Sequence, residues 1–284
     1  MKNSIITIII LSTAIVFSSC KPKLEKDKII FVSIEPQKFF LDNIVKDNFS
    51  VKTIIPDGSN PESYDPTPAQ MVDLGKSALY FKVVFISFEN AWIPNVQKNN
   101  PKLRIVNSSA RITPINADDH DHEGPDPHIW SSPKTALQMA QNMYDEVVNI
   151  DSANKSVYEA NFKQLSQLIY NTDSIIKGYL EKAPSRSFII YHPALSYFSK
   201  EYELCQYSIE HNGKQPTPSE IRNLIELAKA ENIKVVFIQA EYDEKNAETI
   251  ANEIGAKVVP LNLLSYNWNE EMIKIAKALA GEYE

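Results

Sequence analysis

The chain has 284 residues, enough to bury the core of one large domain or of two medium ones. Its hydrophobic fraction of 43% and its charged fraction of 23% are those of an ordinary globular protein. The formal net charge of −7 argues against nucleic acid as a partner, because binding to phosphates requires a basic surface.

The N-terminus has the pattern of a secretory signal peptide, which we predict for residues 1–19. A basic start at Lys2 precedes an apolar run from Ile5 to Phe17 that is too short to span a bilayer comfortably. Two serines and Cys20 follow, and this order resembles a bacterial lipoprotein signal. Cys20 would then be the lipidated first residue, anchored on the periplasmic side of a bacterial membrane. An uncleaved anchor and a plain signal peptide are the alternatives.

The cysteine content restricts the redox chemistry of the mature chain. With Cys20 lipidated, Cys205 is the only other cysteine, so no intramolecular disulfide and no Cys-x-x-Cys pair can form. We expect Cys205 to be a small buried apolar residue.

Strands and helices alternate in the first half of the chain, after a lysine-rich tether at residues 20–28. Thr67 followed by Pro68 predicts a helix start, with an N-cap residue and a proline at the first helical position. The alternation predicts a mostly parallel α/β sheet. Strands are predicted over 29–34, 51–55, 78–87 and 103–107, and helices over 39–45 and from 68.

The middle of the chain lacks strand signals from about residue 133 to 183. Apolar residues at helical spacing predict one long helix that connects two lobes. We therefore expect an N-terminal lobe at 29–150, a connecting helix at 151–183 and a C-terminal lobe at 184–284.

The second half repeats the alternation of the first. The Pro-Thr-Pro of residues 66–68 recurs at 216–218, each time before a helix that leads into an apolar strand. This repeat supports two related lobes with a site between them. Strands are predicted over 187–191, 234–238 and 258–259, with helices over 194–200, from 218, up to 254 and over 269–280.

Candidate metal ligands stand near the ends of predicted strands. Glu62 follows the second strand, His128 lies in a proline-bounded turn, and His192 follows an apolar strand directly. In an α/β sheet such residues project into the crevice beyond the carboxyl ends of the strands. Imidazole nitrogen and carboxylate oxygen suit zinc, and also manganese or iron.

Five motifs of the chain together resemble a known family. They are Ile-Pro-Asp-Gly-Ser-Asn-Pro-Glu-Ser-Tyr-Asp-Pro-Thr-Pro at 55–68, Asp-Pro-His-Ile-Trp-Ser-Ser-Pro at 126–133, Tyr-His-Pro-Ala-Leu-Ser-Tyr-Phe at 191–198, Pro-Thr-Pro-Ser at 216–219 and Gly-Ala-Lys-Val-Val at 255–259. Over nearly the whole mature chain, the sequence is similar to the solute-binding components of metal-importing ABC transporters, the zinc- and manganese-binding cluster A-I proteins. The resemblance implies two βα lobes joined by one long helix, a metal ion in the interlobe cleft, and little hinge motion.

The resemblance also implies a ligand set. His128 and His192 match two of the family's metal ligands, and Glu62 stands where the family usually has a first histidine. The fourth ligand of the family usually comes from the loop after the last strand, where this chain has no carboxylate. Glu241 or a water molecule would then complete the site, with Asn262 as a further candidate.

The acidic segment at residues 118–123 resembles the family's variable histidine-rich loop. His120 and His122, among four carboxylates, could form a weak and mobile zinc trap that feeds the deep site. The alternative is a solvated acidic loop that binds no metal.

We therefore expect a monomeric receptor, not an enzyme, that binds Zn²⁺ and delivers it to an ABC permease, with the membrane contacted only through the lipid. Mn²⁺ or Fe²⁺ as the cargo and an adhesin lipoprotein are the alternatives. A zinc hydrolase is less favoured, and it would use Glu62, His128 and His192 as ligands and Glu241 as the base. The chain has no Gly-rich phosphate loop, no Gly-x-Ser-x-Gly elbow and no His-Glu-x-x-His motif.

Overall fold

The computed structural model describes residues 28–56, 58–61, 63–115, 124–210, 214–239, 242 and 244–283. The N-terminal half consists of β1 (Ile29–Val32), α1 (Glu35–Val45), β2 (Ser50–Thr53), α2 (Pro68–Leu74), β3 (Leu79–Lys82), α3 (Ser87–Asn99) and β4 (Arg104–Asn107). Two long helices follow, α4 (Pro133–Ile150) and α5 (Lys155–Leu180). The C-terminal half consists of β5 (Ser187–Ile190), α6 (Ser196–Tyr202), β6 (Cys205–Ser208), α7 (Pro218–Ala230), β7 (Val235–Gln239), α8 (Glu244–Ile254), β8 (Lys257–Leu261) and α9 (Trp268–Leu279).

The two halves form two sheets of the same topology. The strand orders are β2-β1-β3-β4 and β6-β5-β7-β8, and every strand pair is parallel. In each sheet, the direction in which successive strands are added reverses once, between β1 and β3 in one lobe and between β5 and β7 in the other. Ligands of parallel sheets bind beyond the carboxyl ends of strands at such reversal points. The predicted fold, two βα lobes with parallel sheets, is confirmed.

The repeated Pro-Thr-Pro motif begins the equivalent helix in each lobe. The Thr67 hydroxyl accepts a hydrogen bond from the Gln70 backbone N–H at 3.3 Å, and Thr217 accepts one from Glu220 at 3.3 Å. The side chains of Gln70 and Glu220 in turn accept from the backbone N–H of the two threonines. Both helices thus begin with a capping box and a proline at the first helical position. The helix start predicted at Thr67 and Pro68 is confirmed, whereas the capping boxes are features that the sequence did not predict.

The third strand is shorter than predicted because the chain turns sharply after it. Val84 and Phe85 have φ angles of 71° and 68°, in the left-handed region that favours glycine. The buried carboxylate of Glu89 holds this turn by accepting hydrogen bonds from the backbone N–H groups of Val83 and Val84, at 2.8 and 2.6 Å. Burial raises the pKa of Glu89, since desolvation outweighs these hydrogen bonds.

The expectation of a buried Cys205 is wrong. Cys205 is exposed, and it opens β6, a strand that the sequence did not predict. The physical reason is the position of β6 at the edge of its sheet, where it pairs only with β5. A residue on such a strand has a neighbouring strand on one side only.

Helix α5 connects the two lobes. On the N-terminal side, the Asn161 amide donates a hydrogen bond to the carbonyl of Ile44 at 2.9 Å. On the C-terminal side, the Tyr202 hydroxyl donates to the Asp173 carboxylate on α5 at 2.9 Å. Within the described part of the chain, no helix is long and apolar enough to cross a membrane.

Of the two hydrophobic core clusters in the described residues, the larger extends through both lobes and the smaller lies in the C-terminal lobe. The rings of Phe40 on α1 and Trp268 on α9 are both fully buried, with centroids 5.1 Å apart. The indole of Trp268 donates to the carbonyl of Trp130 at 2.7 Å, and the indole of Trp130 donates to the carbonyl of Leu263 at 2.8 Å. The loops at the interlobe cleft are therefore tied to each other across the lobe boundary.

The shared core predicts that the two lobes unfold together. Phe40→Ala removes a fully buried ring at the lobe boundary and is expected to lower the free energy of unfolding by about 3–5 kcal/mol. Urea unfolding followed by far-UV circular dichroism and by tryptophan fluorescence should give one coincident transition, shifted as a whole. Tyr170→Ala on the exposed side of α5, where the side chain is 57% exposed, is the control and should change stability by less than about 0.5 kcal/mol. Two separate transitions would contradict a common core.

Candidate metal centre

His128 is fixed by the aspartate two residues before it. One oxygen of Asp126 accepts a hydrogen bond from the backbone N–H of His128 at 2.7 Å and lies 2.8 Å from the Nδ1 atom of the same residue. The Tyr197 hydroxyl donates to the Asp126 carbonyl at 3.1 Å, which attaches this turn to the C-terminal half. Asp126 and His128 are both buried, so the ring has a defined orientation.

The carboxylate behind His128 is held in its ionised form. Burial alone would raise the pKa of Asp126, but the charge of His128 and the hydrogen bonds from His128 and Ser196 outweigh burial. The pKa of Asp126 therefore lies below its usual range. An ionised carboxylate at this distance is the acceptor that a protonated Nδ1 requires.

His192 is fixed in a similar way on the other side of the cleft. It lies just beyond the carboxyl end of β5, and its Nδ1 atom is 2.5 Å from the buried carboxylate of Glu210. The side chain of Gln239, at the end of β7, donates to the carbonyl of His192 at 2.8 Å and accepts from its backbone N–H at 3.3 Å. Both the ring and the backbone of His192 are thereby held at the reversal point of the second sheet.

The two imidazoles face each other across the lobe boundary. The ring centroids of His128 and His192 are 5.1 Å apart, with an interplanar angle of 71°. Because each Nδ1 lies next to a carboxylate, this pairing favours a proton on Nδ1 and leaves Nε2 as the nitrogen that could coordinate a metal ion. Histidines that bind metals in proteins almost always have such an outer carboxylate or carbonyl partner.

The cavity at these histidines is small. Its volume is about 30 Å³, which suits a single ion and is far below the volume that an organic substrate requires. Both lobes contribute to its walls. Besides His128 and His192, the described lining residues are Asn60, Pro61, Trp130, Ala194, Gln239, Tyr242, Leu263 and Leu264.

Most of the other predicted site residues are not described by the structure. Glu62, Glu241, His120, His122 and Cys20 lie outside the described residues. Within the described ranges, no group of three or more His, Cys, Asp or Glu side chains could hold a metal ion. The metal ligands, His128 and His192 included, therefore stay predictions.

Asn262 is engaged within its own loop. Its side-chain oxygen accepts a hydrogen bond from the Leu264 backbone N–H at 3.1 Å. The neighbouring Leu263 and Leu264 line the cavity, whereas Asn262 is not among the lining residues. This geometry does not favour Asn262 as a ligand.

Sequence reasoning missed the two carboxylates behind the histidines. Asp126 belongs to the Asp-Pro-His motif, and an aspartate that accepts from a backbone N–H two residues on is a recognisable local pattern. Glu210 has no comparable signal, because it is 18 residues from His192 and follows an edge strand that the sequence did not predict.

Comparison with known proteins identifies a family and relatives that match most of the chain. A family model described as the zinc-uptake complex component A, periplasmic (ZnuA), matches residues 30–280. The chain is 29% identical over 260 residues to the high-affinity zinc uptake system protein ZnuA of Bacillus subtilis, a match that covers 86% of this chain and 81% of that protein. It is 24% identical over 222 residues to the manganese-binding lipoprotein MntA of Halalkalibacterium halodurans, covering 77% of this chain and 73% of that protein.

Solved structures share the architecture. A crystal structure of ZnuA aligns with a TM-score of 0.84 and 31% identity, covering 90% of this chain and 98% of that one. A manganese-bound mutant of a periplasmic metal-binding protein from Candidatus Liberibacter asiaticus aligns with a TM-score of 0.80, covering 90% of this chain and 99% of that one. At 20% identity, the second likeness concerns the fold alone.

Removing the carboxylate behind His192 should weaken metal binding without removing a ligand. Glu210→Gln is expected to lower the affinity for zinc by about 10-fold to 100-fold, because the amide does not fix the Nδ1 proton and the ring as a carboxylate does. Competition titration with a chromophoric chelator measures the change. Glu226→Gln, an exposed charge on α7, is the matched control and should bind zinc as the unmodified chain does. Equal affinity of the two variants would contradict the role of Glu210.

Proposed function

The chain belongs to the ZnuA family of periplasmic components of zinc-uptake complexes, and on this premise we propose that it is an extracytoplasmic receptor that binds a divalent metal ion and delivers it to an ABC importer. The observation that carries the proposal is the pair His128 and His192. Each is buried, each has a carboxylate on Nδ1, and their ring centroids are 5.1 Å apart at a cavity of about 30 Å³.

Zinc is the metal that we propose first. Two imidazole ligands suit Zn²⁺, and the relative from Bacillus subtilis is named as a zinc uptake protein. Glu62 would supply a carboxylate oxygen in place of a third imidazole nitrogen. Such a harder ligand also suits Mn²⁺ and Fe²⁺, which therefore remain alternative cargo ions. Elemental analysis of the purified protein, with competition among the three ions, decides which ion is the cargo.

The remaining ligands complete the proposal. We assign Glu62 as the third ligand and Glu241 as the fourth, with a water molecule as the alternative to Glu241. Support comes from their described neighbours, since Pro61 and Tyr242 both line the cavity.

The two histidines should be indispensable for tight binding. His128→Ala and His192→Ala are each expected to lower zinc affinity by more than about 100-fold, because loss of a ligand exceeds the loss of an outer partner. Isothermal titration or chelator competition measures the affinity of each variant. The double variant His120→Ala with His122→Ala removes two histidines from the acidic loop and should leave the affinity nearly unchanged. Nanomolar zinc binding by either single variant would refute the site.

Delivery to an importer requires the receptor to stay outside the inner membrane, and we propose that the lipid on Cys20 keeps it there. With Cys20→Ala, the protein should move from the membrane pellet to the soluble fraction after cell lysis. Mass spectrometry of the N-terminal peptide should detect a lipidated Cys20 only in the unmodified protein. An N-terminal peptide of the unmodified protein without lipid on Cys20 would argue for an uncleaved anchor or a plain signal peptide instead.

Transport also requires a permease and an ATPase. A gene for each beside the gene of this chain would support transport over the adhesin alternative.

The zinc hydrolase would need an exchangeable water molecule on the metal and a general base. A family of substrate-binding receptors favours transport over hydrolysis.

A further inference from the structure

A row of five aromatic rings crosses the cleft at the metal centre. From the N-terminal half, Trp130 lies 5.3 Å from His128, centroid to centroid, and His128 lies 5.1 Å from His192. On the far side, Tyr242 lies 5.5 Å from His192 with an interplanar angle of only 15°, and Tyr191 stacks on Tyr242 at 5.0 Å and 27°. The ring of His192 therefore has a nearly parallel neighbour on one face and the edge-on ring of His128 next to it.

Gln239, the last residue of β7, and Tyr242 contact His192 at two places. The Gln239 side chain bonds both the N–H and the carbonyl of the His192 backbone. The Tyr242 backbone N–H donates to the Gln239 carbonyl at 3.1 Å, and the Tyr242 ring lies against the imidazole of His192. Gln239 thus fixes the main chain of His192, and Tyr242 packs against its ring.

We propose that Tyr242 is a positioning residue of the metal centre, whose ring packs flat against His192, keeps the imidazole in its coordinating plane and slows release of the ion. This inference rests on the proposed function as a metal receptor. The Glu210 carboxylate fixes the imidazole at one atom, Nδ1, and a ring held at one atom can still tilt. A parallel ring backed by Tyr191 restricts the tilt and covers one face of the imidazole against water.

The test compares the rate of metal release in two variants. Tyr242→Ala removes the stacked ring and should accelerate zinc release by roughly 2-fold to 10-fold, the range that an aromatic pair supports. Tyr242→Phe keeps the ring and should release zinc at the rate of the unmodified protein. Stopped-flow mixing of the zinc-loaded full chain with excess chelator gives the rates. The absorption spectrum of the Co²⁺-loaded protein should change in the alanine variant only, because it reports on ligand geometry.

A matched control separates positioning from general stability. Tyr207→Ala removes a half-buried tyrosine from β6 in the same lobe, away from the lining of the cavity. If Tyr207→Ala releases zinc as fast as Tyr242→Ala and gives the same Co²⁺ spectrum, Tyr242 acts only through stability and the inference is wrong. Unchanged release by Tyr242→Ala, with tight binding retained, would also overturn it. Failure of the unmodified chain to bind any of Zn²⁺, Mn²⁺ or Fe²⁺ would overturn the proposed function, and this inference with it.

Discussion

The proposed metal centre depends on the packing of two lobes onto a shared hydrophobic core. His128 and His192 belong to different halves of the chain, and their rings are 5.1 Å apart only because the lobes are held together. The contact of Phe40 with Trp268 and the indole hydrogen bonds of Trp130 and Trp268 provide this attachment beside the cleft. Since side chains in such a core are close-packed, separating the lobes would expose apolar surface, and large opening motions are costly.

Parallel sheets supply the second part of the arrangement. Each lobe presents the carboxyl ends of its strands to the cleft, so short loops can place polar side chains there while the strands stay apolar. His192 follows β5, and Gln239 ends the neighbouring strand β7. Hydrogen bonds join the two residues at the carboxyl ends of these strands. The zinc-uptake family uses this scaffold, and the chain retains it across residues 30–280.

The features that the sequence predicted correctly are those encoded locally. Apolar runs predict most of the strands, and Thr67 followed by Pro68 predicts the start of its helix. The features that it missed depend on contacts between distant residues. Glu210 reaches His192 only after two strands pair, and the exposure of Cys205 follows from the place of its strand in the sheet.

The left-handed turn after β3 is a further example of a feature decided by contacts. Val84 and Phe85 are residues that normally favour extended backbone, and their segment reads as a continuing strand. The buried Glu89 carboxylate overrides this preference by binding the backbone N–H groups of the turn.

Asp126 and Glu210 are also buried carboxylates, and their contacts with the histidines affect how the cargo binds. Because each carboxylate holds one imidazole at Nδ1, the two rings lose little conformational freedom when they coordinate an ion, and this low entropic cost favours binding.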